Sequence, residues 1–406
     1  MLPEINLPIS LRAKLIQGHP WVYRNHVSGV AELRSGSWVQ LRCGGLTAVG
    51  LWDAQSSIAV RIFTRKGQPD ASWFAERVWE AWEGREQLRA GSTTAYRWIY
   101  GEGDGLPGMV VDRYGDYAII QTYADSVGAI VPLVTTALRK CDPDLRGILL
   151  RESSREMTAT DEQVDLGAQQ AKPKAAGTRL AWGEAPPADL VVQEHGLYFR
   201  ANLFEGQKTG LFLDQRENRR MVEQLAGGRE VLNCFAYTGG FSLYALRGGA
   251  AHVVSADIGQ GLAEATSENL ALNALPAERH EFVTDDCFAL LDAYAKAERR
   301  FQMVILDPPS FARSKSSQHA ALRAYTRLNA LGLRCVEIGG LLVTSSCTSQ
   351  VSPEAFRNLL ADAAVQAGRR LQIISEIGQP LDHPVPAGFP EGRYLKFIVA
   401  RVLEQG

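Results

Sequence analysis

The sequence predicts an α/β protein in three parts: a small all-β module, a mixed α+β segment, and a doubly wound, mostly parallel sheet. Three observations carry that prediction. Residues up to about 70 hold short apolar runs with period-2 alternation, "SWVQLRCGG", "LTAVGLWD" and "IAVRIF", broken by Gly, Ser and Asn. After Asn202, strand-like and helical stretches alternate, the pattern of parallel strands joined by crossover helices. A chain of 406 residues has room for two or three domains, which we bound at 1–70, 71–200 and 201–406.

Composition narrows the function. Hydrophobic residues make up 46% and charged residues 22%, ordinary for a soluble globular protein with a sizeable core. A formal net charge of -2 excludes a basic field over the whole molecule, so any nucleic-acid contact must come from a local patch. Such an excess lies in Met1–Lys66, with eight Lys/Arg against three Asp/Glu. The six cysteines are scattered without close pairs, which fits neither a disulfide framework nor a zinc site. No stretch approaches the roughly 18 apolar residues of a membrane span, and no leader pattern opens the chain. The expected location is the cytoplasm.

In the middle segment, "DASWFAERVWEAWEGREQLR" sets Trp73, Phe74, Val78, Trp79 and Trp82 near helical spacing, a stripe expected to face a core rather than stack on bases. "GMVVDRYGDYAIIQ" reads as two strands around a tight turn. The Ala/Gln/Pro-rich stretch near 158–189 has weak periodicity and reads as an exposed insertion. In the third part, "REVLNCFAY", "HVVSADI", "HEFVTDD", "FQMVILDPP" and "GGLLVTSS" are the strands. "SPEAFRNLLADAAVQAG" is a helix with Ser352 as N-cap and Pro353 at its first position. "RLQIISEIG" and "GRYLKFIVARVL" form a closing pair.

In an open α/β sheet, ligands bind beyond the carboxyl ends of the strands, and four such ends carry unusual residues. "VLNCFAYTGGFS" runs a strand into a glycine turn and a helix, where Gly239 and Gly240 would let backbone pass close to a ligand. Its spacing is neither the dinucleotide fingerprint nor a P-loop. "VVSADI" ends in Asp257, placed to accept from both hydroxyls of a ribose. "FVTDDCF" offers Asp286 to an adenine amino group; for both acids a helix N-cap is the competing reading. "ILDPPSF" follows Asp307 with Pro308 and Pro309, which neither continue a ladder nor start a helix cheaply, and so build a rigid wall. Cys347 then stands among hydroxyl side chains in "TSSCTS", where the backbone is leaving the sheet, unlike an inert cysteine among aliphatics.

Together these motifs resemble class I S-adenosylmethionine-dependent methyltransferases with a Rossmann-like sheet. The closer resemblance is to the bacterial 23S ribosomal RNA cytosine-5 methyltransferase family, on "GQKTGLFLDQREN", "FAYTGGFS", "LDPPSF" and "SSCTS". It extends to "GHPWVYRNHV", similar to the opening of a PUA RNA-binding domain, and to "GEGDGLPGMVVDRYGD". The resemblance implies S-adenosyl-L-methionine as cofactor, ribosomal RNA of the large subunit as partner, no membrane, and no metal; it leaves a homodimer open. It implies that "KTGLFLDQR" leads into the cofactor pocket and that Cys347 is the nucleophile. The implied cofactor contacts are Gln215, Asn233, Phe235, Tyr237, Thr238, Gly239, Asp257, Asp286, Cys287 and Asp307. Pro308, Pro309, Ser310 and Lys208 would face the substrate.

The chemistry needs a thiolate, because carbon 5 of cytosine is too weak a nucleophile until carbon 6 carries an added group. Two departures from the family pattern bear on this. Ser310 stands where many RNA cytosine-5 methyltransferases have a second cysteine, so Cys347 is expected to act alone, with water or another group taking the carbon-5 proton. Asn233 replaces an Asp common in the first motif, and its amide can still organise the turn. Cys234 and Cys287 are flanked by apolar residues and are expected to pack rather than react. Two other functions compete: methylation of an exocyclic amine of guanine or adenine, and RNA binding without catalysis.

Overall fold

The computed structural model describes residues 2–28, 33–152, 177–206, 208–312 and 317–405. The first module has β1 (Glu4–Asn6), α1 (Arg12–Ile16), β2 (Trp21–Tyr23), β3 (Trp38–Cys43), β4 (Leu46–Trp52) and β5 (Ile58–Thr64), in sheet order β1-β3-β4-β5-β2. Val39 and Leu41, alternating along β3, and the adjacent Ala59 and Val60 of β5 close a small core with Leu15. Several of its basic residues are spent internally. Arg61 is buried, Arg42 pairs with Glu4 at 2.6 Å, and Arg24 and Arg65 donate to backbone carbonyls. The basic excess is therefore smaller as a free surface than the count of charges suggests.

The middle segment has α2 (Ala71–Glu83), α3 (Glu86–Arg89), β6 (Ala95–Tyr100), β7 (Met109–Tyr114), β8 (Tyr117–Thr122), α4 (Val131–Cys141), β9 (Gly147–Glu152) and β10 (Thr178–Gly183), with sheet order β10-β9-β8-β7-β6. Asp70 caps α2 through the Trp73 amide. Phe74 and Val78 are fully buried and Trp82 packs beside them, as the stripe predicts, whereas Trp79 lies on the far side, 52% exposed. β7 and β8 form the expected hairpin, Tyr114 opposite Tyr117. The insertion expected near 158–189 lies outside the described residues up to 176. Its end differs from expectation, because Thr178–Gly183 is a strand paired antiparallel with β9. Edge pairing needs backbone groups rather than an apolar period, so the weak periodicity concealed it.

A hairpin follows, β11 (Val191–Glu194) with β12 (Leu197–Arg200). Val192, Leu197 and Phe199 share one core with Phe241 and Tyr244 of the third part and with Tyr114 and Ile119 of the middle sheet. The division expected at residue 200 runs through this core.

The third part comprises α5 (Arg216–Leu225), β13 (Glu230–Cys234), α6 (Gly240–Arg247), β14 (His252–Asp257), α7 (Leu262–Leu272), β15 (His280–Thr284), α8 (Cys287–Lys296), β16 (Phe301–Leu306), α9 (Gln318–Arg334), β17 (Val336–Ser346), α10 (Pro353–Ala367), β18 (Arg369–Ile377) and β19 (Lys396–Glu404). The sheet order is β15-β14-β13-β16-β17-β19-β18, with β19 antiparallel to both its neighbours. This is the predicted doubly wound architecture. Successive strands run outward in one direction from β13 and in the other from β16, so the crevice between those two strands is the switch point where ligands bind.

The loop between β18 and β19 reaches back over the other parts. Phe389 packs on Trp21 at 4.5 Å between ring centroids, and Trp21 Nε1 donates to Glu102 at 2.8 Å. Asp382, fully buried, accepts two bonds of 2.9 Å from Arg216 and one of 2.9 Å from the Arg97 amide. One loop thus ties the first module, the middle sheet and the start of α5 together.

Candidate active site

A cavity of about 320 Å³ opens at the carboxyl ends of β13, β14, β16 and β17. The turn after β13 has an unusual backbone: Phe235 (φ 61), Tyr237 (φ 49) and Gly239 (φ 80) all adopt left-handed conformations. Two non-glycine residues held there store strain that the surroundings must offset, a pattern concentrated at ligand sites. Gly239 is required both for its φ and for space, since a Cβ would sit 2.5 Å from Cγ2 of Thr266. Its need is packing against α7 rather than approach to a ligand; Gly240, next to it, lines the cavity.

Asp257 ends β14, and its two oxygens accept from the amides of Tyr237 and Gly259, both at 3.0 Å. It caps no helix, so the competing reading of this acid falls away. The carboxylate joins the β13 and β14 turns and lines the cavity wall. Asp286 N-caps α8 through Ala289 N at 2.9 Å, the competing reading, and also lines the cavity. Cys287 lines the wall as well, with Sγ accepting from the Phe235 amide at 3.3 Å, whereas Cys234 lies in the core. Asn233 does not reach the cavity; its amide donates to Ser242 at 2.9 Å, tying β13 to α6. Phe235, Tyr237, Thr238 and Gln215 all face the cavity.

Asp307, Pro308, Pro309 and Ser310 follow β16 as the opposite wall. Asp307 accepts from Gln215 Nε2 at 2.8 Å and from the Ser345 hydroxyl. Burial pushes its carboxyl up to about 6, opposed by the Ser345 bond and reinforced by the negative charge of Asp214. Cys347 follows β17 as a half-buried free thiol on the same cavity. Burial pushes it up to about 11, with Lys208 and Lys396 pulling it down and Asp307 and Asp214 opposing them.

Beside it sits a pair that the sequence only half disclosed. Lys208 Nζ lies 2.9 Å from Asp214 Oδ2, which also accepts from the Tyr394 hydroxyl at 2.7 Å. Burial raises the Asp214 carboxyl, but Lys208 and His383 outweigh it and hold the group below the usual carboxylate range. Its other oxygen is buried with no partner among the described residues. Asp214 stands in the quoted "KTGLFLDQR", which was the available signal; its role depends on Tyr394, 180 residues away.

A strained turn at the switch point, a cavity-lining acid at the end of the next strand and an acid followed by two prolines on the third fit a nucleoside-bearing methyl donor. Residues 138–387 match the family model of S-adenosylmethionine-dependent methyltransferases, and residues 10–65 match that of the PUA-like domain. The chain is therefore an S-adenosylmethionine-dependent methyltransferase with an N-terminal PUA-like domain. Over 99% of its length it is 35% identical to Ribosomal RNA large subunit methyltransferase I of Salmonella enteritidis PT4, covering 98% of that protein, and it matches the Salmonella typhi protein of that name equally. It belongs to the ribosomal RNA large subunit methyltransferase I family. Among solved structures, SMU.776 in complex with SAH has a TM-score of 0.85 at 23% identity, covering 98% of this chain and 100% of that one. A SAM-dependent methyltransferase from Streptococcus mutans has 0.83 at 22%, with the same coverage. At such identities the likeness shows the fold.

Proposed function

We propose that the protein acts in the cytoplasm on ribosomal RNA of the large subunit, methylating carbon 5 of a cytosine through a covalent adduct with Cys347. The observation that carries this reading is a free thiol at the end of β17 on the same cavity as Asp307. Asp257, with Tyr237 and Thr238 beside it and Asp286 across the cavity, would hold the cofactor's ribose and adenine. S-adenosylmethionine supplies an electrophilic methyl group when bound.

The protein's own groups do the rest. The target base must be unpaired or flipped out to enter. The Cys347 thiolate adds to carbon 6, forming an S–C bond, and the electron pair of the carbon 5–carbon 6 bond becomes available at carbon 5. Charge developing at N3 is met by Asp307, whose raised proton affinity suits it to donate there. After carbon 5 has been methylated, its proton leaves to water or another acceptor, the double bond reforms, and the thiolate departs. Pro308 and Pro309 keep the Asp307 loop rigid, and Ser310 bonds back to the Ala312 carbonyl at 3.0 Å instead of serving as a second thiol. Mass mapping of methylated nucleosides in the ribosomal RNA of a strain lacking the protein tests the assignment: one 5-methylcytosine should vanish. Loss of a methylated purine instead would transfer the reading to an exocyclic amine.

A further inference from the structure

Lys396 is a buried cation held by neutral groups. It opens β19 directly opposite Ser346, the last residue of β17, and is 2% exposed. Its ammonium donates to the carbonyls of Thr348 and Tyr394, the latter at 2.7 Å. Among the described residues no carboxylate pairs with it, in contrast to Lys208, which has Asp214. Removing an ammonium from water is costly, and two neutral carbonyls replace its hydration only in part. Proteins retain such a charge where an anion forms beside it. The residue between Ser346 and Thr348, the two positions that Lys396 faces and bonds, is Cys347.

We propose that Lys396 is a positioning residue for Cys347: its buried ammonium is the counter-charge of the thiolate, before attack on the base and again when the sulfur leaves. The inference rests on Cys347 being the nucleophile. The thiol's proton goes to solvent, and Lys396 keeps its own. The charges around the sulfur leave this task open. Lys208, on the loop before α5, pulls the thiol down more strongly than Lys396 but is committed to Asp214 at 2.9 Å, and both Asp307 and Asp214 oppose the thiolate. Lys396 and Cys347 act on each other in the required sense, the cation lowering the thiol and the thiolate raising the ammonium. Burial pulls Lys396 down to about 8, against the thiolate and together with Arg393, which leaves it charged at neutral pH.

The test follows the rate of Cys347 alkylation by iodoacetamide at pH 7, where Lys396 is charged, in the full-length protein, read by peptide mass spectrometry. Lys396→Gln keeps a donor for the carbonyls but removes the charge. It should slow alkylation at pH 7 about tenfold and slow methyl transfer about tenfold at the same pH, with cofactor affinity unchanged, while Lys396→Arg keeps the wild-type alkylation rate. A wild-type alkylation rate at pH 7 in folded Lys396→Gln overturns the proposal. A second comparison leaves Lys396 in place: Cys347→Asp, which supplies a fixed anion, should melt above Cys347→Asn, and the opposite order contradicts a counter-charge. Methylation by Cys347→Ala would instead sink the nucleophile reading, so the two failures are told apart.

Discussion

The Ser345 hydroxyl donates to the carboxylate of Asp307 across the β16–β17 pair, two residues before Cys347. The bond fixes Asp307, the acid proposed to face the ring nitrogen, relative to Cys347, the proposed nucleophile, because both follow adjacent parallel strands. A displacement of either strand end would separate the two reacting groups.

Asp307 should set the pH dependence. The proposed reaction needs Asp307 protonated (about 6) and Cys347 ionised (about 11), the minor form of each at neutral pH. Below 6 the thiolate fraction rises with pH while Asp307 stays protonated, so kcat/KM rises. Above 6 the thiolate gain is cancelled by loss of the Asp307 proton, so kcat/KM levels off. Asp307→Asn keeps a donor that does not titrate, and its kcat/KM should continue to rise toward pH 9 from a lower starting value. A plateau unchanged by the substitution would assign the limb to another group.

Cofactor binding should depend on Asp257. Its removal deprives a ribose diol of a charged acceptor and frees the Tyr237 and Gly259 amides. Asp257→Ala should weaken S-adenosylmethionine binding by about 1.5–3 kcal/mol, the scale of hydrogen bonds to charged groups. Calorimetry giving wild-type affinity would remove Asp257 from the site.

Stability should depend on Asp382. Replacing it by Ala leaves the Arg216 guanidinium, wholly buried, without its bidentate partner, and losing one member of such a pair costs about 3–5 kcal/mol. Burial raises the Asp382 carboxyl, but His383 and Arg216 hold it below its usual range. Its contribution is therefore complete above the ordinary Asp range and disappears only as pH falls through the lowered value. Urea unfolding at pH 7 and at pH 3 measures both effects, and the difference between wild type and Asp382→Ala should narrow at the lower pH.

RNA affinity should draw on the exposed basic residues of the first module. Lys14, Arg34 and Lys66 are exposed. Replacing all three by Ala should weaken RNA binding and reduce the salt slope by roughly 0.7 for each phosphate they neutralise. An unaltered slope would make them a solvated surface.

Residues acting within one strand–turn–helix unit were legible from sequence. Asp257, Asp307 and Cys347 each sit where a strand ends, and the alternation of strands and helices orders those ends around a switch point. Asn233 was less legible, because whether a strand-end side chain faces the cavity or the helix behind it turns on a single residue of register. Lys396 and Asp382 were invisible. Each acts across an antiparallel closing pair or a long loop, and Asp382 meets the Arg97 amide 285 residues away. A buried ion pair has no period and no local spacing, so only the folded chain discloses it.

The central claim is the Cys347 adduct, and RNA carrying 5-fluorocytosine at the target position tests it most directly, since fluorine cannot leave carbon 5 as a proton. The wild type with S-adenosylmethionine should form a denaturation-resistant protein–RNA species linked through Cys347. Cys347→Ala should form none and transfer no methyl group, although it folds and binds the cofactor. Normal methylation by Cys347→Ala, with no adduct in the wild type, would contradict attack through sulfur.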